Sequence, residues 1–357
     1  MITIPIASIT IFFKLIFLLK LGLICEATNH SYPGVPGERF LGPIVRVVGT
    51  VGQQQCVREC RNRPKLCNGV SYRKQHLLCE LVSDTEKVEP NSDYVRFELD
   101  QKWTSQCASC SSDEKCVTLS SSQTYCVQDY FPGDCTALHD QESALLSGLY
   151  RVQLPVIGYV NVFCEMSLDN GGWTVFQRRL DGSVDFFRNW TDYKKGFGDL
   201  RSEFWLGNDI LHYLLSQGRY MMRMDMADFD NQTRYVKYSY FNVGDETSKY
   251  YVTVFGHSGD VGDCFTTDRG INHTMFSTIY QDNDKVDNRT CAVIYQSGWW
   301  YRKCQCANPN GKYLAGRNDE FGVGITYEAW RGPNYSLKFT QFMVKKRFTQ
   351  FQTMSRK

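Results

Sequence analysis

The chain has 357 residues, 42% of them hydrophobic, with 15 cysteines and a formal net charge of +2. This is enough apolar material for two ordinary domains, or one large domain with small appendages, and it excludes a disordered chain. So small a net charge excludes a nucleic-acid surface, and Lys345-Lys346-Arg347 near the end reads as a short solvated run.

Residues 2–24 are apolar except where Lys14 and Lys20 interrupt them, and Cys25-Glu26-Ala27 follows. The pattern predicts a secretory signal over residues 1–27, cleaved after Ala27, although the run is nearly long enough to serve as an uncleaved anchor. Removing it takes away Cys25 and leaves an even number of cysteines, which suits an oxidising extracellular compartment. Without that cleavage the membrane question stays open. Residues 28–43 carry Pro33-Gly34, Pro36-Gly37 and Gly42-Pro43, turn signals without periodicity, and read as a linker. There is no Gly-X-Y repeat and no heptad run, so an oligomer is neither specified nor excluded.

Residues 44–100 contain Cys56, Cys60, Cys67 and Cys79, which allow three pairings. The segment QQCVRECRNRPKLCNGVSYRKQHLLCEL resembles the core of a PAN/apple domain. That resemblance implies a helix facing a small antiparallel sheet, with Cys56 joined to Cys79 and Cys60 to Cys67; the outer cysteine pair of many apple domains is missing. Residues 101–129 hold Cys107, Cys110, Cys116 and Cys126 in a Ser-rich stretch. They read as a disulfide-held connector and not as a redox or zinc site, with the pairing open.

Beyond Cys135, Leu149 to Leu154 and Tyr159 to Cys164 read as strands around a Pro-Gly-containing turn that brings Cys135 near Cys164. A strand from Trp173 follows, with Trp173, Val175 and Gln177 facing opposite to Thr174 and Phe176. DILHYLLSQ is a helix capped by Asn208 or Asp209, stopped by Gly218 and buried through Leu211, Leu214 and Leu215. YMMRMDM, YVKYSYF and YYVTVFG alternate as strands, their tyrosines serving sheet packing and not base stacking, and Ser336 to Val344 is the last strand.

The stretch from Phe276 to Gly311 concentrates chemistry. Asp282, Asn283, Asp284 and Asp287 place hard oxygen ligands in a short polar loop, and the carbonyls of Val286 or Asn288 complete a shell suited to Ca2+. Trp299, Trp300 and Tyr301 anchor the segment on the domain body, while Cys291 and Cys304 close a small ring. No nucleophile elbow, HExxH segment or Gly-rich phosphate loop is present, so the reading is binding and not catalysis.

With SGLYRVQL at 147–154, FCEMSLDNGGWTVFQRR at 163–179, GFGDLRSEFWLGND at 196–209, WWYRKC at 299–304 and NGKY at 310–313, residues 130–350 closely resemble the fibrinogen-like C-terminal domain. This is the domain of fibrinogen chains, ficolins, tachylectins, angiopoietins and tenascins. It implies an α+β fold of mixed and antiparallel sheets with short helices, with residues 351–357 left as a tail. The resemblance to tachylectins and ficolins implies that Asp282 and Asp284 bind calcium through their side chains, and Val286 and Asn288 through their carbonyls. It places an acetylated sugar beside them, against Tyr295, Phe321 and Pro333, with backbone donors at Lys303 and Cys304 around a cis peptide.

This chain departs from that pattern in four ways. Gln305 stands where histidine is usual, Phe321 replaces a common tyrosine, Pro333 occupies a position aromatic in some acetyl-group binders, and the loop has one extra residue before Cys291. With the two family pairs assigned, Cys264 and Cys306 remain; they bridge to each other or one of them pairs with another chain. Glycosylation acceptors stand at Asn29, Asn189, Asn231, Asn272, Asn288 and Asn334, the last two within or beside the expected site. The expectation is a secreted, calcium-supported lectin for acetylated glycans, as in innate defence. The alternative is a module that binds cell-surface or matrix glycoproteins through protein contacts.

Overall fold

The computed structural model describes residues 33–99, 110–111, 113–118 and 123–347. The expected signal over 1–27, Asn29, Cys107 and the tail 351–357 lie outside the described residues. Among the described residues no helix is long and apolar enough to cross a membrane.

The N-terminal module begins earlier than the turn signals imply. Strand β1 (Val35–Phe40) occupies the second half of the expected linker and pairs antiparallel with β5 (Val88–Glu98). Gly37 at φ 81° and a register shift between Pro36 and Glu38 make a bulge, which is how a Pro-Gly pair is accommodated on an edge strand. Phe40, fully buried, supplies the packing that a linker lacks. Between these strands run β2 (Ile44–Val48), helix α1 (Gln53–Arg61), β3 (Gly69–Arg73) and β4 (Leu78–Val82). Cys56 to Cys79 pins α1 to β4, and Cys60 to Cys67 closes the turn after the helix. In the connector, β6 (Glu114–Thr118) and β7 (Thr124–Gln128) form a hairpin, and Cys110 is bonded to Cys126.

The larger body runs through α2 (Cys135–Gln141), β8 (Gly148–Leu154), β9 (Gly158–Glu165), β10 (Trp173–Arg179), α3 (Trp190–Lys195), β11 (Phe197–Gly198) and β12 (Phe204–Trp205). It continues with α4 (Asn208–Leu215), β13 (Tyr220–Ala227), β14 (Thr233–Val243), β15 (Val252–Gly259) and α5 (Cys291–Ile294). The rest comprises the short strands β16 (Ala307–Asn308), β17 (Gly316–Arg317) and β18 (Thr326–Tyr327), helix α6 (Glu328–Arg331), β19 (Tyr335–Ser336) and β20 (Phe339–Lys346).

The main sheet has the order β1-β5-β3-β4-β2-β8-β9-β10-β20-β13-β14-β15, so a single sheet runs through both modules. The two halves join where β2 pairs parallel with β8 at Ile44 and Tyr150. Side chains reinforce that join: Arg73 Nη1 donates to Ala144 O at 2.9 Å and Arg201 Nη2 to Leu41 O at 2.8 Å, while Arg63 Nε meets Asp129 of the connector at 2.6 Å. Phe40, Ile44, Leu78 and Val82 belong to the same apolar core as Leu145 and Tyr150.

Strand β10 is buried along its whole length, between β9 and β20, so its two faces both pack and the expected alternation has no solvent side. Its register with β20 shifts between Val175 and Gln177. Helix α4 buries Leu211, Leu214 and Leu215, but its N-cap is Gly207, because the Asn208 carboxamide oxygen is taken by the Trp205 indole N–H at 3.0 Å. Trp205 is also the hub that seats the later loop: its ring centroid lies 5.8 Å from Phe276, 6.4 Å from Trp299 and 6.0 Å from Trp300. Each such aromatic pair adds about 0.5–1.5 kcal/mol beyond the area it buries.

Candidate functional site

The acidic loop is tied at its base and open at its tip. Ser277 and Trp299 exchange backbone hydrogen bonds at 2.9 and 3.1 Å. Asn283 turns inward, its amide N–H donating to Ser277 Oγ and its Nδ2 to Phe276 O. That leaves Asp282 and Asp284 to flank it. Asp282 Oδ1 accepts from the Asp284 amide at 3.1 Å and its Oδ2 from the Thr290 hydroxyl at 3.0 Å. Asp284 accepts from the Val286 and Cys291 amides, both at 2.8 Å. Burial, and then the Asp282 carboxylate beside it, push the Asp284 carboxyl above its usual range, against the pull of those two amides.

Among the described residues no group of three or more His, Cys, Asp or Glu side chains converges on one point. The oxygens brought close to one another here are the Asp282 and Asp284 carboxylates, and the loop also carries backbone carbonyls. Those of Val286 and Asn288 accept no hydrogen bond from the described residues. All-oxygen donors suit calcium by type, and a dication would offset the burial and the repulsion that together raise Asp284. Asp287 is exposed.

The small ring continues the loop toward the other predicted residues. Cys291 is bonded to Cys304, and the Lys285 amide donates to Arg302 O at 2.9 Å. The chain reverses at Cys304 with φ 50°, and among the described residues no peptide is cis, so the turn expected from a cis bond is made by a left-handed residue. Lys303 is exposed, and neither its amide nor that of Cys304 donates to the described residues.

Gly322 is the point where the other predicted residues meet. Its amide donates to Pro333 O at 2.9 Å, and its carbonyl accepts from Gln305 Nε2 and Asn308 Nδ2, both at 3.0 Å. At φ 72° a side chain here would be strained, and a Cβ would lie 2.6 Å from Tyr295 Cε1 and 2.8 Å from Gln305 Nε2. The Tyr295 ring stacks on buried Tyr301 with centroids 6.3 Å apart. Phe321, 56% exposed, stands beside this cradle at the mouth. Tyr295, Gln305, Phe321 and Pro333 therefore come together around one glycine.

Two further features belong to the site. Cys264 is bonded to Cys306, tying the segment after β15 to the residue next to Gln305. Asn308, fully buried, is a residue the sequence reading missed. Its Nδ2 donates to the carbonyls of Tyr295, Gly322 and Val323, and its Oδ1 accepts from the Ser297 and Tyr301 hydroxyls. A polar residue before Pro309 in an otherwise buried run was the only signal for it. Of the acceptors in Asn-X-Ser/Thr triplets, Asn189, Asn231, Asn288 and Asn334 are exposed, whereas Asn272 is half-buried with its Oδ1 taken by the Val254 amide.

Residues 131–347 match the family described as fibrinogen beta and gamma chains, C-terminal globular domain, and residues 25–110 match the PAN domain. The chain is 44% identical over 201 residues to ryncolin-4 of Cerberus rynchops, which covers 56% of this chain and 57% of that protein. It is 41% identical over 228 residues to fibrinogen C domain-containing protein 1-B of Xenopus laevis, which covers 62% and 48% respectively. The chain thus spans about half the length of these curated relatives. Among solved structures it is similar to the fibrinogen-like globe domain of human ANGPTL2, at 36% identity and a TM-score of 0.57, covering 60% of this chain and 99% of that one. It is similar also to a lamprey fibrin D-dimer complexed with the peptide ligand Gly-His-Arg-Pro-amide, at 33% identity and a TM-score of 0.57, covering 65% and 80%.

Proposed function

Because the chain belongs to the family of fibrinogen C-terminal globular domains and carries a PAN domain before it, we propose that it is a secreted, non-enzymatic recognition protein whose larger domain binds acetylated glycans. The observation that carries this reading is the convergence of Tyr295, Gln305, Phe321 and Pro333 on Gly322, next to the disulfide ring that ends at Cys304. The aromatic rings shelter a methyl group, and the undirected amides of Lys303 and Cys304 donate to the acetyl oxygen.

In this reading Asp282 and Asp284, with the carbonyls of Val286 and Asn288, hold a calcium ion that neutralises the loop's charge and fixes its shape. The chain's own residues do the recognising. Glycans on exposed Asn189 and Asn231 stand clear of these residues in the chain, whereas Asn288 and Asn334 lie within the loop and beside Pro333.

The test is calorimetric titration of the whole chain with N-acetylglucosamine and with glucosamine, in calcium and in chelator. Binding of the acetylated sugar alone, weakened by chelator, is the expected result. Affinity for one sugar is weak because little area is buried, and firm attachment to a surface requires several sites together. A second reading, a protein or matrix ligand, is favoured by the exposed apolar side chains of Val293, Ile294 and Phe321 and by the peptide bound to the similar lamprey fibrin. Saturable binding to a glycoprotein after its glycans are removed would select it.

A further inference from the structure

Where the two modules join, β2 and β8 pair at one position only, Ile44 with Tyr150. Beside that pair lies a cavity of about 220 Å3 walled by Ile44, Val47, Pro132, Leu138 and Tyr150, with the exposed Gly49, Thr50 and Gln141 at its mouth. Neither module encloses it alone, and apolar clefts between domains that carry a few polar groups are where small ligands bind. Two charged side chains line it. Arg46 is engaged, its Nη1 donating to Tyr130 O at 2.6 Å and meeting Asp129 Oδ1 at 3.2 Å. Glu142 is not. Its Oε1 accepts from the Ala144 amide at 3.1 Å, while its Oε2 accepts from no donor among the described residues. That oxygen reaches from the larger module toward the smaller, 3.2 Å from where a Cβ on Gly49 would lie.

We propose that this junction cavity is a binding site for a small primary amine with an apolar ring or branched body. The body packs on Ile44, Leu138 and Tyr150, all buried, and the ammonium donates to Glu142 Oε2 at the mouth. Size follows from volume: an apolar cavity of about 150 Å3 holds one benzene ring, so this one admits such a ring with an arm of about two or three atoms. Charge follows from the lining. An alcohol of the same shape brings Glu142 a single neutral donor, and a carboxylate is repelled by it and finds Arg46 already paired. The lysine side chain of another protein carries the same ammonium on a slim stem, which leaves the width between Leu138 and Tyr150 unfilled. A free amine with a wide body is therefore the better fit. Its occupant touches both sides of the β2–β8 join and so stabilises the joined state by mass action.

The test is calorimetric titration of the full chain at neutral pH with 2-phenylethylamine, 2-phenylethanol, 3-phenylpropionate and Nα-acetyl-lysine amide. The amine is expected to bind about fivefold more tightly than the alcohol, the worth of one ion pair at a half-open mouth, and the other two more weakly still. In Glu142→Gln, whose carboxamide oxygen can still accept from the Ala144 amide, the amine should fall to the level of the alcohol while the alcohol is unchanged. Val47→Phe fills the cavity from its wall and should remove both. Equal affinities for amine and alcohol in the original protein, or binding of neither, overturn the proposal. So does amine binding that survives both substitutions, because the site is then elsewhere. An equal loss of amine and alcohol in Glu142→Gln overturns it too, since a merely structural residue gives that result. Tighter binding of the lysine derivative than of 2-phenylethylamine assigns the site to a protein partner and overturns the free amine. Where Val47→Phe does not fold, the original protein and Glu142→Gln decide.

Discussion

Replacing Asn308 with alanine tests whether the pocket is held by one carboxamide. The substitution removes five hydrogen bonds at a position with no solvent access, but the partners suffer unequally. Gly322 O keeps Gln305 Nε2, Val323 O keeps the Lys312 amide at 2.9 Å, and the Ser297 and Tyr301 hydroxyls keep each other at 2.6 Å. Tyr295 O loses the one side-chain donor it has among the described residues. One orphaned carbonyl costs about 1–3 kcal/mol, and the lost share of the other bonds brings the total to about 3 kcal/mol. For a domain of this size that corresponds to a fall of about 6–12 °C in the melting midpoint. Urea unfolding and calorimetry of Asn308→Ala measure it, and the acetylated-sugar titration should fail because the Tyr295 and Gly322 walls are no longer tied together. Asn308→Asp replaces a donor by an acceptor facing carbonyl oxygens, so at neutral pH it should be more destabilising than alanine. A loss below about 1 kcal/mol for alanine, or an aspartate variant more stable than the alanine one, would refute the reasoning.

Other expectations concern separate parts of the molecule. Asp282→Ala and Asp284→Ala should each weaken calcium binding, which for an extracellular site lies near 10⁻⁴ to 10⁻³ M on the order of magnitude, and leave the main sheet folded; calorimetry showing unchanged binding in both would place the ion elsewhere. Burial works to raise the Asp263 carboxyl, but hydrogen bonds from the Thr266 and Tyr238 hydroxyls and the Phe265 and Thr266 amides outweigh it and hold the group below the usual carboxylate range. A lowered carboxyl stabilises the fold above the unfolded value and loses that contribution as pH falls through the folded one, so Asp263→Asn should flatten the acid limb of stability below about pH 4. Cys264→Ser with Cys306→Ser opens a loop of separation 42 and should cost about 4 kcal/mol by the chain-entropy estimate; unfolding of the double variant at the original midpoint would contradict it. Arg63→Ala should cost about 1–3 kcal/mol by removing the closest partner of Asp129, which keeps Arg46 Nη1 at 3.2 Å, read as a fall in urea midpoint.

What the sequence made legible were features whose cause is local. Alternation in YMMRMDM and YVKYSYF gave β13 and β14, and the Leu211, Leu214 and Leu215 spacing gave α4. The Asp282-Asn283-Asp284 run announced an oxygen-lined loop, but not that Asn283 would turn inward to Ser277 and Phe276. Features with distant causes stayed hidden. VPGERF looks like a turn because the strand it forms depends on β5, more than fifty residues away in the chain at Arg96. Gly207 caps α4 because Trp205 captures Asn208, a competition that propensity does not register. Asn308 is satisfied by carbonyls from two other segments, so no period or spacing could mark it.

The β2 to β8 pairing has a consequence beyond stability. With strands, hydrogen bonds and apolar core all crossing that junction, the small module is a lever fixed to the body and not a bead on a string. In any assembly gathered through the small modules, the proposed binding sites would sit at set separations and set angles instead of searching a sphere. Such an assembly behaves as a ruler: it rewards targets whose repeat matches its own spacing and gains little from equally dense targets arranged at random.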